Sequence, residues 1–260
     1  MNGVNKTLYI PLYGKACVSR KGILLKDPKA EQIWEAEGFS LKGKAKSKWL
    51  AYNMGMRSAV FDRWTEQQLR QHPDAVVLHV GCGMDSRCER VEHRGQQWFD
   101  VDFPEVIAER KRYFAETETY RMIPSDIRED AWLSQIPAEK TAVIVMEGIS
   151  MYLEMTELKA VLRRWKKHFP ETRILMDSYT VFAAKATKYK NPINQVGVTQ
   201  VYGFDDPRQL EEDTGLSFVQ EHSLTPEWLI EQLPKKEQGF FRTMFAGKFA
   251  KKIYRLYEYR

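Results

Sequence analysis

A chain of 260 residues with 43% hydrophobic content is long enough to bury one substantial core, which predicts a single α/β domain with an accessory segment. The net charge of +5 is a modest excess interleaved with acidic residues, so it argues against a nucleic-acid partner and suits an acidic small molecule equally well. Cys17, Cys82 and Cys88 lack metal-ligand spacing, no apolar run reaches membrane length, and the first residues lack a signal-peptide core; free thiols, no metal, no membrane partner and a cytoplasmic location are expected.

In chain order, the first segment, 1–72, reads as helix-rich and carries a basic stretch at 42–48. It is expected to form an N-terminal helical cap, followed by a second unit at 73–260 in which short apolar runs alternate with helical patterns, the signature of a parallel sheet covered on both faces. The predicted strands are 75–81, 97–102, 120–124, 141–147 and 173–177. Between the last two, Leu158, Val161, Leu162, Trp165 and Phe169 recur at helical spacing, with Thr156 as the expected N-cap and Pro170 as the stop. The stretch 179–203 has little periodicity and reads as a substrate-covering insertion or a surface excursion. Near the end, 216–222 and 253–259 read as strands, the latter alternating like an edge or hairpin strand.

The most informative stretch is Val76-Val-Leu-His-Val-Gly-Cys-Gly-Met-Asp85, an apolar strand that runs into two glycines before a helix. Glycine at such a turn lets the backbone approach a ligand that a Cβ would hold off. About 20 residues on, the strand Trp98-Phe-Asp-Val-Asp102 ends in carboxylates, where a ribose-binding acid belongs in a nucleotide-binding βαβ unit. The third glycine of the dinucleotide fingerprint is missing, which argues against a pyrophosphate and for a nucleoside cofactor without phosphates; S-adenosylmethionine meets that description.

The wording around these residues resembles the leucine carboxyl methyltransferase superfamily, including its bacterial branch of polyketide-synthesis (tetracenomycin-type) O-methyltransferases. The resemblance is carried by His79-Val-Gly-Cys-Gly-Met-Asp-Ser-Arg87, Phe99-Asp-Val-Asp-Phe-Pro-Glu-Val106, Ser125-Asp-Ile-Arg128 and Met146-Glu-Gly-Ile-Ser-Met-Tyr-Leu153, in order and at similar spacing. It extends to Leu8-Tyr-Ile-Pro-Leu-Tyr-Gly-Lys-Ala16 and Met54-Gly-Met-Arg-Ser-Ala-Val-Phe-Asp62, similar to segments that close the cofactor pocket. It implies a Rossmann-like class I methyltransferase fold: a seven-stranded, mostly parallel sheet with an antiparallel C-terminal hairpin.

Residue by residue, the resemblance implies that Arg57 meets the cofactor carboxylate, Gly81 and Gly83 line its methionine part, Asp102 holds the ribose, and Asp126 with Ile127 reaches the adenine. It further implies Glu147 at the amino acid end and Tyr152 beside the acceptor as the catalytic-site residue. The residues also admit plainer readings. Asp100 points to the same strand face as Asp102 and competes with it; Asp126 can be the N-cap of the short helix after it; Asp85 and Arg87 can simply open a helix. His79 reads as a hydrogen-bonded core histidine and Cys82 as a small apolar group. The expected activity is O-methylation of a small-molecule carboxylate or hydroxyl, acidic or phenolic. The rivals are a non-catalytic S-adenosylmethionine-binding protein, an NAD(P)-dependent oxidoreductase and a nucleic-acid methyltransferase.

Overall fold

The structure, a computed structural model, describes residues 8–38, 46–186 and 200–260. Three helices lead: α1 (Tyr9–Arg20), α2 (Pro28–Glu37) and the long α3 (Lys48–Gln71). Asp27 caps α2 by accepting from the Ala30 N–H, with Pro28 at the first helical position where its missing N–H costs nothing. Ser47 does the same for α3. Of the basic stretch 42–48, residues 42–45 lie outside the described residues.

The sheet begins at β1 (Val76–Val80), followed by the short α4 (Arg87–Arg90), β2 (Trp98–Asp102), α5 (Pro104–Arg110), β3 (Tyr120–Pro124) and β4 (Ala142–Met146). Every residue of β1, β2 and β4 is buried, as expected of central parallel strands with both faces covered. Helix α6 (Met155–His168) buries Leu158, Val161, Leu162 and Trp165, the stripe read from the sequence. Its N-cap is Glu154, not Thr156. Glu154 and Glu157 form a reciprocal capping box, satisfying two helix-end N–H groups where Thr156 would satisfy one.

Strand β5 (Thr172–Tyr179) leads into α7 (Val181–Ala186); of the stretch 179–203, residues 187–199 lie outside the described residues. Then follow β6 (Phe218–His222), the helices α8 (Glu227–Ile230), α9 (Lys235–Phe245) and α10 (Gly247–Lys251), and β7 (Tyr254–Tyr259). The seven strands lie in the order β3-β2-β1-β4-β5-β7-β6. β1 to β5 pair in parallel, and β7 runs antiparallel to both β5 and β6. The tail is therefore an interior strand, with Leu256 to Tyr259 buried, and it is joined to β6 by helices instead of a tight turn.

Two apolar layers sandwich the sheet. One joins α1, α2 and α3 to Val77, Val143 and Leu175; the other joins α6 to Leu78, Ile144 and Met176. The chain leaves β1 toward β2 on one side and reaches β4 on the other, so a crevice opens at the carboxyl ends of these strands, where open α/β sheets take their ligands. Among the described residues no helix is long and apolar enough to cross a membrane.

Candidate functional site

A cavity of about 410 Å³ fills that crevice, within the range of small-molecule sites. Its floor is the loop after β1 and the ends of β2, β3 and β4. Its roof is Leu8 to Lys15 and the face of α3 that carries Leu50, Met54 and Arg57, and Tyr179 of β5 and Tyr254 of β7 close one side.

The floor is shaped by its glycines. Gly81 and Gly83 both lie at positive φ (62° and 50°), a region that side-chain-bearing residues avoid. A Cβ at Gly81 would also overlap Ile149, and one at Gly83 would stand 2.8 Å from Leu8. This turn brings the Gly83 N–H to Asp102, whose Oδ2 accepts it at 2.8 Å while Oδ1 accepts from the Phe103 N–H at 2.8 Å. Each oxygen keeps a further lone pair, and Asp102 retains 8% of its exposure. Burial raises its carboxyl to about 6 in spite of those two donors.

Behind the glycines lies a network of buried charge. Arg57 donates from Nε to Glu147 (2.9 Å) and from Nη1 to Asp177 (3.1 Å) and to the Tyr254 hydroxyl (2.7 Å). Nη2 has no acceptor among the described residues, so part of the planar fork is left for the cavity. Glu147 also accepts from Arg87 Nη2 at 2.5 Å. Burial works against its charge, yet Arg57 and Arg87 outweigh it and hold the carboxyl down at about 2. Asp177 shows the opposite balance. Burial, reinforced by the nearby Glu147 charge, raises it to about 6 although Arg57 pulls it down.

The remaining expected residues divide sharply. Asp126, Ile127 and Tyr152 line the cavity. Asp126 accepts from the Arg128 backbone and side chain, which lower its pKa; it thus caps a tight turn, while Asp130 precedes the next short helix. Asp100 does not line the cavity. It is fully buried and accepts from Arg110, from the Tyr120 hydroxyl at 2.5 Å and from Trp98 Nε1 at 2.9 Å. His79 bridges the two clusters. Arg87 can only donate, so Nε2 accepts from it (3.2 Å) and Nδ1–H faces Asp100 (3.2 Å), the neutral tautomer that burial also favours. Burial raises the Cys82 thiol, in keeping with a small apolar group.

Several site residues were not singled out by the sequence reading. Lys15, 3% exposed, lines the cavity and pairs with Asp85 at 3.1 Å; it stands in the Leu8 to Ala16 motif, which marked the segment without marking the residue. Asp85 and Arg87, read as helix-openers, are buried members of the network: Arg87 joins Asp62, Asp85 and Glu147. Asp177 and Tyr254 come together only through the pairing of β5 with β7. Among the described residues no cluster of histidine, cysteine and carboxylate side chains could hold a metal ion.

Residues 12–166 match the family model described as leucine carboxyl methyltransferase. The chain is 31% identical over 227 residues to the tetracenomycin polyketide synthesis O-methyltransferase of Streptomyces glaucescens, covering 86% of this chain and 84% of that protein. It is 28% identical to an S-adenosyl-L-methionine-dependent methyltransferase of Gibberella zeae, over 81% of this chain and 78% of the relative. Among solved structures, magnesium protoporphyrin IX methyltransferase from Synechocystis with bound SAH superposes with a TM-score of 0.52 at 12% identity, covering 88% and 92% of the two chains. A DUF574 family protein from Streptomyces avermitilis gives 0.56 at 12% identity, over 90% and 89%. These two likenesses speak for the fold alone. The chain belongs to the leucine carboxyl methyltransferase family, a family of S-adenosylmethionine-dependent methyltransferases.

Proposed function

We propose that this family member transfers a methyl group to an oxygen of a small molecule, a carboxylate or a hydroxyl on an aromatic, polyketide-like acceptor. The observation that carries the reading is the cavity at the carboxyl ends of β1, β2 and β4, walled by acceptors for the cofactor's donors and donors for its acceptors. S-Adenosylmethionine, when bound, supplies a methyl group on a positively charged sulfur. Arg57 Nη2 and Lys15 suit its carboxylate, and the Glu147 end of the cavity suits its ammonium. Gly81 and Gly83 leave room for the methionine chain, Asp102 offers two oxygens to the ribose hydroxyls, and Asp126 with Ile127 borders the adenine position.

Tyr152, which lines the cavity, is assigned to the acceptor. Asp100 is not included, because its oxygens are already occupied by Arg110, Tyr120 and Trp98. Helices α1 and α3, within the segment 1–72, act as the cap, over a cofactor-binding unit at 73–260. The three free cysteines suit a reducing, cytoplasmic compartment.

Displacement at a methyl group needs nucleophile, carbon and sulfur in line, so catalysis here is chiefly a matter of holding two molecules in one orientation. The test is isothermal titration with S-adenosylmethionine and S-adenosylhomocysteine, with NAD and NADP as controls, on the wild type and on Asp102→Ala. Saturable binding of the adenosyl ligands alone, lost in the variant, is the expected result. A folded wild type that binds neither adenosyl ligand would sink the reading.

A further inference from the structure

The positive surplus of the chain is concentrated in one place. Residues 235–252 hold six cations and one carboxylate, so the whole net charge of +5 resides there and the rest of the chain is neutral. They form α9, α10 and the turn into β7. The one carboxylate, Glu237, is spent on Lys48 and the Tyr52 hydroxyl, while Arg242 pairs with Glu227 and Lys251 with Glu221. Lys235, Lys236, Lys248 and Lys252 are exposed and meet no carboxylate among the described residues.

Apolar side chains stand among these lysines. Of the six large apolar residues exposed among the described residues, four are Phe182, Phe240, Met244 and Ile253, and Phe182 is 67% exposed. Phe240 and Met244 are four apart and share one face of α9. Thr180 ties the start of α7, which carries Phe182, to the end of the basic segment: its N–H donates to the Ile253 carbonyl at 3.2 Å and its hydroxyl to the Lys252 carbonyl at 2.7 Å. Tyr179 lies opposite Tyr254 in the sheet, so this group gathers at the carboxyl end of β5, the end of the sheet that carries the cavity. Phe240 joins it through Trp49, whose ring centre is 5.0 Å away and which adjoins Leu50 of the cavity roof.

We propose that this end of the molecule rests on an anionic lipid bilayer, with Phe182, Phe240, Met244 and Ile253 entering the boundary between headgroups and acyl chains and the four unpaired lysines meeting lipid phosphates. The inference goes beyond the methyltransferase reading and does not depend on it. The expectation of no membrane partner came from the lack of a spanning run, and a protein that lies on a membrane needs none.

Charge complementarity selects the occupant. Uncompensated lysines beside exposed apolar side chains match a negatively charged, apolar-cored surface. A protein partner fits less well, because lysine is depleted in protein interfaces and arginine is preferred there. A single-stranded nucleic acid takes flat rings as its stacking platform, and methionine and isoleucine offer none. An apolar acceptor dissolved in such a bilayer would meet the end of the sheet at which the cavity lies.

The test sediments the full chain with vesicles of phosphatidylcholine alone or of an equimolar mixture of phosphatidylcholine and phosphatidylglycerol. Binding to the mixed vesicles only is expected, and it should be lost in about 1 M salt, where the screening length falls to about 3 Å. Lys235→Gln with Lys236→Gln should weaken it about 25-fold, at about fivefold per cation. Arg163→Gln with Lys167→Gln removes the same charge from α6, in the layer on the other face of the sheet, and should change it less than about twofold. Phe182→Ser with Met244→Ser, at side chains that already face solvent, should cost about tenfold without lowering the thermal midpoint read by circular dichroism.

No binding to the mixed vesicles overturns the proposal, as do equal losses from the α6 pair and the α9 pair, which would reduce the effect to net charge. Binding that survives the serine substitutions would leave a purely electrostatic polyanion site and overturns it too. So does a polyuridylate oligomer bound more tightly than the mixed vesicles at the same salt.

Discussion

Two buried clusters of arginine and carboxylate flank His79, and they differ in what is left over once their internal contacts are made. In the cluster beneath the glycine loop, Arg110 uses all three nitrogens: Nε on Tyr120, Nη1 on the Gly83 carbonyl at 2.9 Å and Nη2 on Asp100. Asp100 is equally engaged, and neither residue reaches the cavity. In the cluster behind Glu147, Arg57 engages Nε and Nη1 but leaves Nη2, and Tyr254 leaves a lone pair. Burial, charge and shifted pKa are common to both clusters, so none of them marks a site. Unsatisfied hydrogen-bonding capacity facing a cavity does. The closed cluster fixes the Gly83 carbonyl, and the open one faces the ligand space.

The comparison is broken most forcefully through stability. Replacing Arg110 with Leu leaves Asp100 as an uncompensated buried charge and frees the glycine loop, so we expect a loss of about 3–5 kcal/mol in denaturant unfolding. An Arg110→Leu protein of wild-type stability that had lost only ligand binding would show that the closed cluster is not structural. Next in size, Arg57→Lys keeps a charge for Glu147 and Asp177 but loses the fork. S-Adenosylmethionine binding should weaken by about 10- to 100-fold by calorimetry, as for a charged hydrogen bond of about 1.5–3 kcal/mol, with a smaller fall in stability.

A milder probe is pH. Asp102 is raised to about 6 by burial, so below that value it is neutral and accepts ribose hydroxyls poorly. Affinity for S-adenosylmethionine should therefore fall as pH drops through about 6, by at most about tenfold per unit, and Asp102→Asn should flatten that dependence. The sign of the stability effect is opposite. A carboxyl raised in the folded state makes folding take up protons, so the ligand-free protein should lose stability as pH rises from its ordinary carboxylate range to about 6. Glu147, held at about 2, acts in the usual direction: its contribution is full above the ordinary glutamate range and lost as pH falls toward 2.

The sheet was legible because buried parallel strands are apolar runs, and the glycine loop because positive φ and close approach admit little else. Helix ends were less so: Thr156 is a good cap by type, but a neighbouring pair of glutamates forms a better one. The charged network was legible only where a motif announced it. Arg57 and Asp177 are 120 residues apart, and Arg57 and Tyr254 are 197 apart. Asp177 read as the last residue of a strand and Tyr254 as one position in an alternating tail, because the contact between them is created by inserting β7 beside β5. Asp100 and Asp102 share a strand face, and the choice between them turned on which one Arg110 occupies, again a fact of packing.

The smallest effect is expected where a carboxylate lines the cavity but is already served at the surface. Asp126 has a side chain 20% exposed, and Arg128, itself 49% exposed, binds both its oxygens. Exposed pairs of this kind are worth about 0–1 kcal/mol, and an adenine amino group drawn to Asp126 would gain only what Arg128 and water give up. Asp126→Ala should thus weaken S-adenosylmethionine less than about fivefold and leave stability nearly unchanged, while Asp102→Ala, in a drier place with two lone pairs free, should cost far more. Equal losses at the two positions would mean that ligand binding displaces Arg128 and buries Asp126. The adenine end would then belong with Arg57 and Tyr254, among the parts of the molecule whose hydrogen bonds are completed by what enters the cavity.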